Sequence, residues 1–339
     1  MNSLRWALDA QRSVRLKVLA AAGFAGLVLA ACGDAAGRYE RLARDYPHET
    51  LQWTIPFGPG GGNDIMARTL IEILQRYDLY PRPIVARNRA AGSGAVGWGY
   101  LFRQAKNPYH IATTSGSFIT TPLFAGTDWG PTSFTPIALL ATDDVLLVVD
   151  RRSDIQNLEQ FIERAKVKPP SVGGIGTTQV DFMVPHLLAR AAGFELRYVP
   201  FNAQGELTTA LLSRSLDAMM ARPGVVLGLL QSGDMRPLVY SGATVPEALA
   251  GVPTLRDKGF GEIDISMPRG LILPPGVPLE VRDWWIEAIK RVVATPEWKK
   301  YVAANLLTEN VRYGDAFNEY LVDTDRKFQT VLRELKILR

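Results

Sequence analysis

The residues best suited to hold a small charged ligand are glycines and the polar side chains beside them. Phe57, Gly58, Pro59, Gly60, Gly61, Gly62, Asn63 and Asp64 form a loop between a short strand, Leu51 to Ile55, and a helix. Glycines let the backbone take positive φ and approach a ligand closely. The unpaired N–H groups of the first helical turn then point out of the helix end, and with the helix dipole they favour an anion. A nucleotide P-loop needs Gly-Lys followed by Ser or Thr. Here the glycines run into Asn63-Asp64, which argues against a nucleotide. It leaves a carboxylate site, or a tight turn in which Asn63 or Asp64 caps the helix.

A second glycine loop follows a strand in the other half of the chain. Gly174, Ile175, Gly176, Thr177 and Thr178 lead into Asp181. A third strand, His110 to Thr114, opens on Ser115 and Ser117. Two glycine loops in separate α/β halves suggest a ligand held between two lobes. Gly92 to Gly97 fits the G-x-G-x-x-G dinucleotide pattern, but Asn88 to Ala91 separate it from its strand and the next acid is Asp128. The pattern requires a strand running into the first glycine and an acid about 20 residues on.

Catalytic constellations are sparse. No G-x-S-x-G elbow occurs. His48, His110 and His186 are scattered, with no second histidine or cysteine at metal-ligand spacing. Asp143 and Asp144 are adjacent, so on a strand they face opposite sides and make no shared acid–base pair. Trp284, Trp285 and Trp298 read as packing.

The elements around these residues alternate. Strand, glycine turn, helix, strand is the rhythm of an α/β protein with largely parallel sheets. Met66, Leu70, Ile73, Leu74 and Tyr77 recur at helical spacing and predict one apolar helix face. Ile137 to Val149 predicts a long strand broken by a crossing point near Asp143. After Pro274 to Pro278 the remainder predicts helices, with Val281 to Val293 and Pro296 to Leu306 the clearest.

The N-terminus predicts export. Arg5, Arg12, Arg15 and Lys17 precede an uncharged run from Val18 to Ala31. Its fourteen residues suit a secretory signal, since a membrane-spanning helix needs about 20. The run ends in Leu29-Ala30-Ala31-Cys32, which resembles the lipobox of bacterial lipoproteins. Cys32 is the single cysteine, so a disulfide within one copy is impossible. Removing residues 1–31 takes away four positive charges and one negative, lowering the formal net charge from +4 to +1. A chain so near neutrality offers no electrostatic footprint for nucleic acid. Gly33 to His48 then reads as a tether.

Motifs along the folded part resemble those of the tripartite tricarboxylate transporter receptors, also called the Bug family. They are Pro56-Phe57 with the glycines, Asp64 and Ala67-Arg68; Asn88-Arg89 with Gly92, Gly94 and Gly97; and Thr135-Pro136-Ile137-Ala138. Gly174 to Thr177, Val199-Pro200-Phe201 and Asp217 follow, then Val252 to Leu255, Arg269-Gly270 and Pro274 to Pro278. The resemblance covers Leu51 to the C-terminus. It implies an extracytoplasmic α/β binding protein of two lobes, each a largely parallel sheet flanked by helices, joined by two hinge strands. Expected boundaries are 1–31 for the signal, 32–48 for the tether, 49–142 with 268–339 for lobe 1, and 143–267 for lobe 2.

It also implies a non-enzymatic, cofactor-free monomer that captures a small organic acid. The partner would be a secondary transporter with one large and one small membrane subunit. Phe57 to Asn63 and Gly174 to Thr178 would grip the ligand from opposite lobes. The chain departs from the family pattern at Val180-Asp181, where a histidine is usual, at Phe201-Asn202-Ala203, at Arg222, and at Pro268 before Arg269. Either Arg222 or Arg269 faces the cleft and pairs a carboxylate bidentately, or both are surface arginines. Two other readings stay open: presentation of ligand to a membrane sensor kinase, and an exported NAD-dependent oxidoreductase resting on Gly92 to Gly97.

Overall fold

The computed structural model describes residues 46–177, 179–201 and 203–338; the segment carrying Cys32 lies outside them. Residues 49–339 form the compact unit described below.

The chain opens with β1 (Leu51–Ile55), α1 (Gly62–Arg76), β2 (Ile84–Asn88), α2 (Ala95–Phe102), β3 (His110–Thr113) and α3 (Gly116–Ala125). Strands β4 (Thr135–Asp143) and β5 (Leu146–Asp150) are separated by Asp144 and Val145 alone. Then come α4 (Leu158–Val167), β6 (Ser171–Ile175), α5 (Val180–Ala192), β7 (Arg197–Phe201), α6 (Gln204–Leu212), β8 (Ala218–Ala221), α7 (Pro223–Gln231) and β9 (Met235–Tyr240). The chain ends with β10 (Met267–Leu273), α8 (Leu279–Val293), α9 (Pro296–Ala304), β11 (Thr308–Tyr313) and α10 (Asp315–Glu334).

Two sheets result, in the orders β11-β4-β10-β3-β1-β2 and β7-β6-β8-β5-β9. In the first, β2, β1 and β3 are parallel, while β10 runs against β3 and β4. In the second, β7, β6 and β8 are parallel and β5 runs against β8 and β9. The chain passes from one sheet to the other after β4 and returns before β10. This is the two-lobed α/β architecture expected, with β4–β5 and the approach to β10 as the connections. The sheets are mixed rather than largely parallel, because the strands at the crossings, β4, β5 and β10, pair antiparallel.

Strands β4 and β5 pair antiparallel on both sides and are covered on both faces, which explains their near-continuous apolar run. Every residue from Ile137 to Asp150 is buried. In lobe 1, Trp98, Phe118, Trp129 and Phe134 pack edge-on and stacked, and Phe317 and Tyr320 of α10 join the same core. Helix α10 continues to α5 of the second lobe, where Glu334 pairs Arg190. The apolar face of α1 buries Met66, Leu70, Ile73 and Leu74 but not Tyr77, which lies at the helix end and donates its hydroxyl to Glu297. Strand β11, just beyond the expected helix Pro296 to Leu306 in the helix-rich remainder, pairs antiparallel with β4.

In open α/β sheets, ligands bind outside the carboxyl ends of the parallel strands. The turns at those ends are β1–α1, β2–α2 and β3–α3 in lobe 1, and β6–α5, β7–α6 and β8–α7 in lobe 2. They hold both glycine loops, Ser115 and Arg222.

Candidate functional site

The β1–α1 loop is tied down by its own side chains. Asp64 lies in the first turn of α1 and is buried. Its carboxylate accepts from the Gly60 N–H at 2.9 Å, from Arg68 Nε at 2.9 Å and from Asn88 Nδ2 at 2.9 Å. Asn88 Nδ2 also donates to the Phe57 carbonyl at 2.8 Å. Burial pushes the Asp64 pKa up, but the Arg68, Gly60 and Asn88 bonds outweigh it and hold it below the ordinary aspartate range. Asn63 is equally committed. Its amide nitrogen donates to the Thr114 carbonyl at 3.0 Å, and its oxygen accepts from the Thr113 hydroxyl. Neither side chain caps the helix at its N-cap, which is Gly61. Asn63 and Asp64 therefore shape the loop with their side chains and leave its backbone to meet a ligand. Phe57 packs edge-on against Trp98, while Gly58, Pro59, Gly60, Gly61 and Gly62 lie at the surface or close to it.

The Gly92 to Gly97 run is explained by packing. A Cβ on Gly94 would overlap the Trp98 ring, and one on Gly97 would come 2.7 Å from Pro56 Cα. These glycines seat α2 against the first loop. Ser115 is buried at the start of α3, with its hydroxyl 3.2 Å from that of Ser117.

The second glycine loop differs from its expected form. Gly174 and Ile175 belong to β6 rather than to the turn. A Cβ on Gly174 would overlap the Tyr198 hydroxyl, so this glycine makes room for a strand neighbour. Ile175 and Phe201 pack on the lobe 2 core. Gly176 alone takes positive φ, at 68°. Its N–H donates to the Phe201 carbonyl at 3.1 Å and its carbonyl accepts from the Tyr198 hydroxyl at 2.9 Å. Thr177 is exposed. Thr178 lies outside the described residues.

Charged side chains converge where the two sheets meet. Asp143, at the end of β4, accepts from Arg222 Nη1 at 3.0 Å and from Arg269 Nη2 at 2.5 Å, both on the same oxygen, Oδ2. Arg222, at the N-cap of α7, also reaches Asp181 in the first turn of α5 at 3.0 Å. Neither arginine is a surface residue: their side chains are 23% and 12% exposed. The guanidinium of Arg269 lies against the first turn of α1, since a Cβ on Gly62 would come 3.2 Å from its Nη2. Arg269 Nε is buried with no hydrogen-bond partner. A cation thus sits at the positive end of a helix with a donor unspent.

Burial raises the Asp143 pKa, but the two arginines overcome this and hold it below the usual range. For Asp181 burial wins over Arg222 and the shift is upward. Burial works against the charge on Arg222, and Asp143 and Asp181 more than restore it. Adjacent Asp144 faces elsewhere. It accepts from the Ser266 hydroxyl and from Thr142 Oγ1 at 2.8 Å, and burial drives its pKa up.

The structure brings Arg222, Arg269 and Asp181 together around Asp143, which the sequence marks only as a crossing point. Tyr301 of α9 joins them. That hydroxyl is pushed up to about 12 by burial, with Arg269 and Asp143 both close enough to act on it. A tyrosine on a helix after the last binding motif carries no local signal of such a position. Among the described residues no cluster of His, Cys, Asp and Glu could hold a metal ion.

A profile of the tripartite tricarboxylate transporter family receptor matches residues 67–337. The chain belongs to this family. It is similar to the protein BugT of Bordetella pertussis, 24% identical over 320 residues that cover 91% of this chain and 95% of that one. A TctC solute-binding protein from Polaromonas, solved without ligand, superposes with a TM-score of 0.78 at 22% identity, covering 85% of this chain and 99% of that one. MatC from Rhodopseudomonas palustris with bound malate superposes with a TM-score of 0.63 at 21% identity, covering 85% and 100%. These likenesses share the two-lobed fold. The family is one of solute-binding receptors, not enzymes, and the chain is a receptor of this kind.

Proposed function

We propose that this receptor captures a small organic carboxylate between its two lobes and delivers it to a secondary transporter with one large and one small membrane subunit. The observation that carries the reading is Arg269. Its guanidinium lies against the first turn of α1 with Nε buried and unpartnered. An anion there would accept from that donor and from the helix's free N–H groups together. Ser115, Ser117, Gly176, Thr177 and the backbone of Gly58 to Asn63 flank the cleft in this reading. The malate held by a relative of the same fold adds support for a carboxylate.

Hydrogen bonds to a charged group contribute roughly 1.5–3 kcal/mol each. Four or five supply about 8 kcal/mol net, near micromolar affinity. The basic and apolar N-terminal run ending at Cys32 supports export and a lipid tether that keeps the receptor beside its membrane partner.

A thermal-denaturation screen of small organic acids tests the reading. A true ligand at 100 times its Kd stabilises the fold by about 2.7 kcal/mol. A broad panel of acids that leaves the transition unmoved removes the carboxylate assignment.

A further inference from the structure

The charges at the junction of the sheets almost cancel. Arg222 and Arg269 contribute two positive charges, and Asp143 and Asp181 stand against them within 3.0 Å. The neighbouring Asp144 adds no positive charge in either protonation state. The positive end of α1 already has Asp64 in its first turn. Of the other cations near the first loop, one is paired with an acid and one is turned onto an aromatic ring. Arg68 holds Asp64 and Asn88, and Arg89 stacks on Tyr100 at 3.6 Å. At the junction itself, what remains to attract an anion is one unspent guanidinium edge and one helical turn. Arg89 Nε is also buried without a partner, but its guanidinium lies over Tyr100 and acts on His110 at the far end of β3.

We infer that the cleft takes a monoanion, a small acid with one carboxylate and an otherwise uncharged body, rather than a dicarboxylate or tricarboxylate. The inference rests on the carboxylate reading above and sharpens it. A first carboxylate meets Arg269 Nε and the free N–H groups of α1. A second would enter the junction opposite Asp143 and Asp181 with no uncompensated cation to receive it. A carboxylate withdrawn from water without a counter-charge is strongly disfavoured. The resident aspartates thus act as a filter on ligand charge.

Calorimetric titration of the purified full chain at neutral pH, with carbon-matched pairs, tests this. Pentanoate is compared with glutarate, and benzoate with terephthalate. In at least one pair the monocarboxylate is expected to bind tenfold or more tightly than its dicarboxylate partner. Equal or tighter dicarboxylate binding overturns the inference and leaves the carboxylate reading standing. Binding by none of the four overturns the inference for these bodies, and the broad acid screen above then decides the carboxylate reading. In Asp143→Asn, or in Asp181→Asn should the first variant not fold, the gap is expected to narrow because one resident negative charge is gone. An unchanged ratio in a folded variant counts against the filter.

Discussion

Arg269 and Asp143 meet on one face of the lobe 1 sheet, Nη2 to Oδ2 at 2.5 Å. Arg269 stands opposite Ala141 in the β10–β4 register, and Asp143 lies two residues further along β4. Residues two apart on a strand share a face, so the strand pairing itself delivers the guanidinium to the carboxylate. The bond holds one edge of the fork and leaves Nε free. Arg269→Lys keeps the charge but loses the planar fork. Ligand affinity measured by calorimetry is expected to fall about 10-fold or more, matching the loss of one charged hydrogen bond. Unchanged affinity would place the carboxylate elsewhere.

Asp143 is the hub on which two arginines depend. Asp143→Ala leaves both guanidiniums partly buried with one of their counter-charges removed. Breaking a buried pair in this way costs roughly 3–5 kcal/mol. Urea denaturation without ligand is expected to show a loss of that size. A loss below about 1 kcal/mol would mean that the arginines find water or other acceptors and that the hub is a surface-type pair.

The glycines divide into two kinds that mutation can separate. Gly174 is buried in β6 and a Cβ there overlaps Tyr198. Gly174→Ala is expected to cost about 1–3 kcal/mol, the usual range for overpacking. Gly58 has nothing within 4 Å of a Cβ and an unstrained φ. Gly58→Ala is expected to leave the denaturation midpoint unchanged and alter ligand affinity alone. A stability loss at Gly58 as large as that at Gly174 would contradict this division.

The same division marks what was legible in the sequence. Loop glycines, helical periodicity and the alternation of strand and helix are local signals, and they predict the parallel portions of both sheets. Gly174 looked like a loop residue because the pattern cannot tell a glycine that frees the backbone from one that makes room for a neighbour. The Asp143 hub was invisible for a different reason. Its partners come from β10 and from the start of α7, and only the crossing of two strands between the lobes unites them. Strand β11 and the position of Tyr301 likewise depend on long-range pairing that no local pattern encodes.

Asp144 offers a test through pH. It is buried between Ser266, Thr142 and Thr308, and burial lifts its pKa above the ordinary aspartate value of 3.8. Below 3.8 the residue is protonated in both folded and unfolded chains and adds nothing to the pH dependence. As pH rises past that value the unfolded chain releases its proton first. Each pH unit before the folded form follows then costs the native state about 1.36 kcal/mol. Above the folded pKa the cost is constant. Asp144→Asn cannot ionise and can still bond the surrounding hydroxyls through its amide. The stability of the wild type minus that of the variant, from urea denaturation at pH 4 to 8, is therefore expected to fall as pH rises. The shared titration of Asp143 and Asp181 largely cancels in that difference. A difference independent of pH would show that the carboxyl of Asp144 is as well solvated in the folded chain as in the unfolded one.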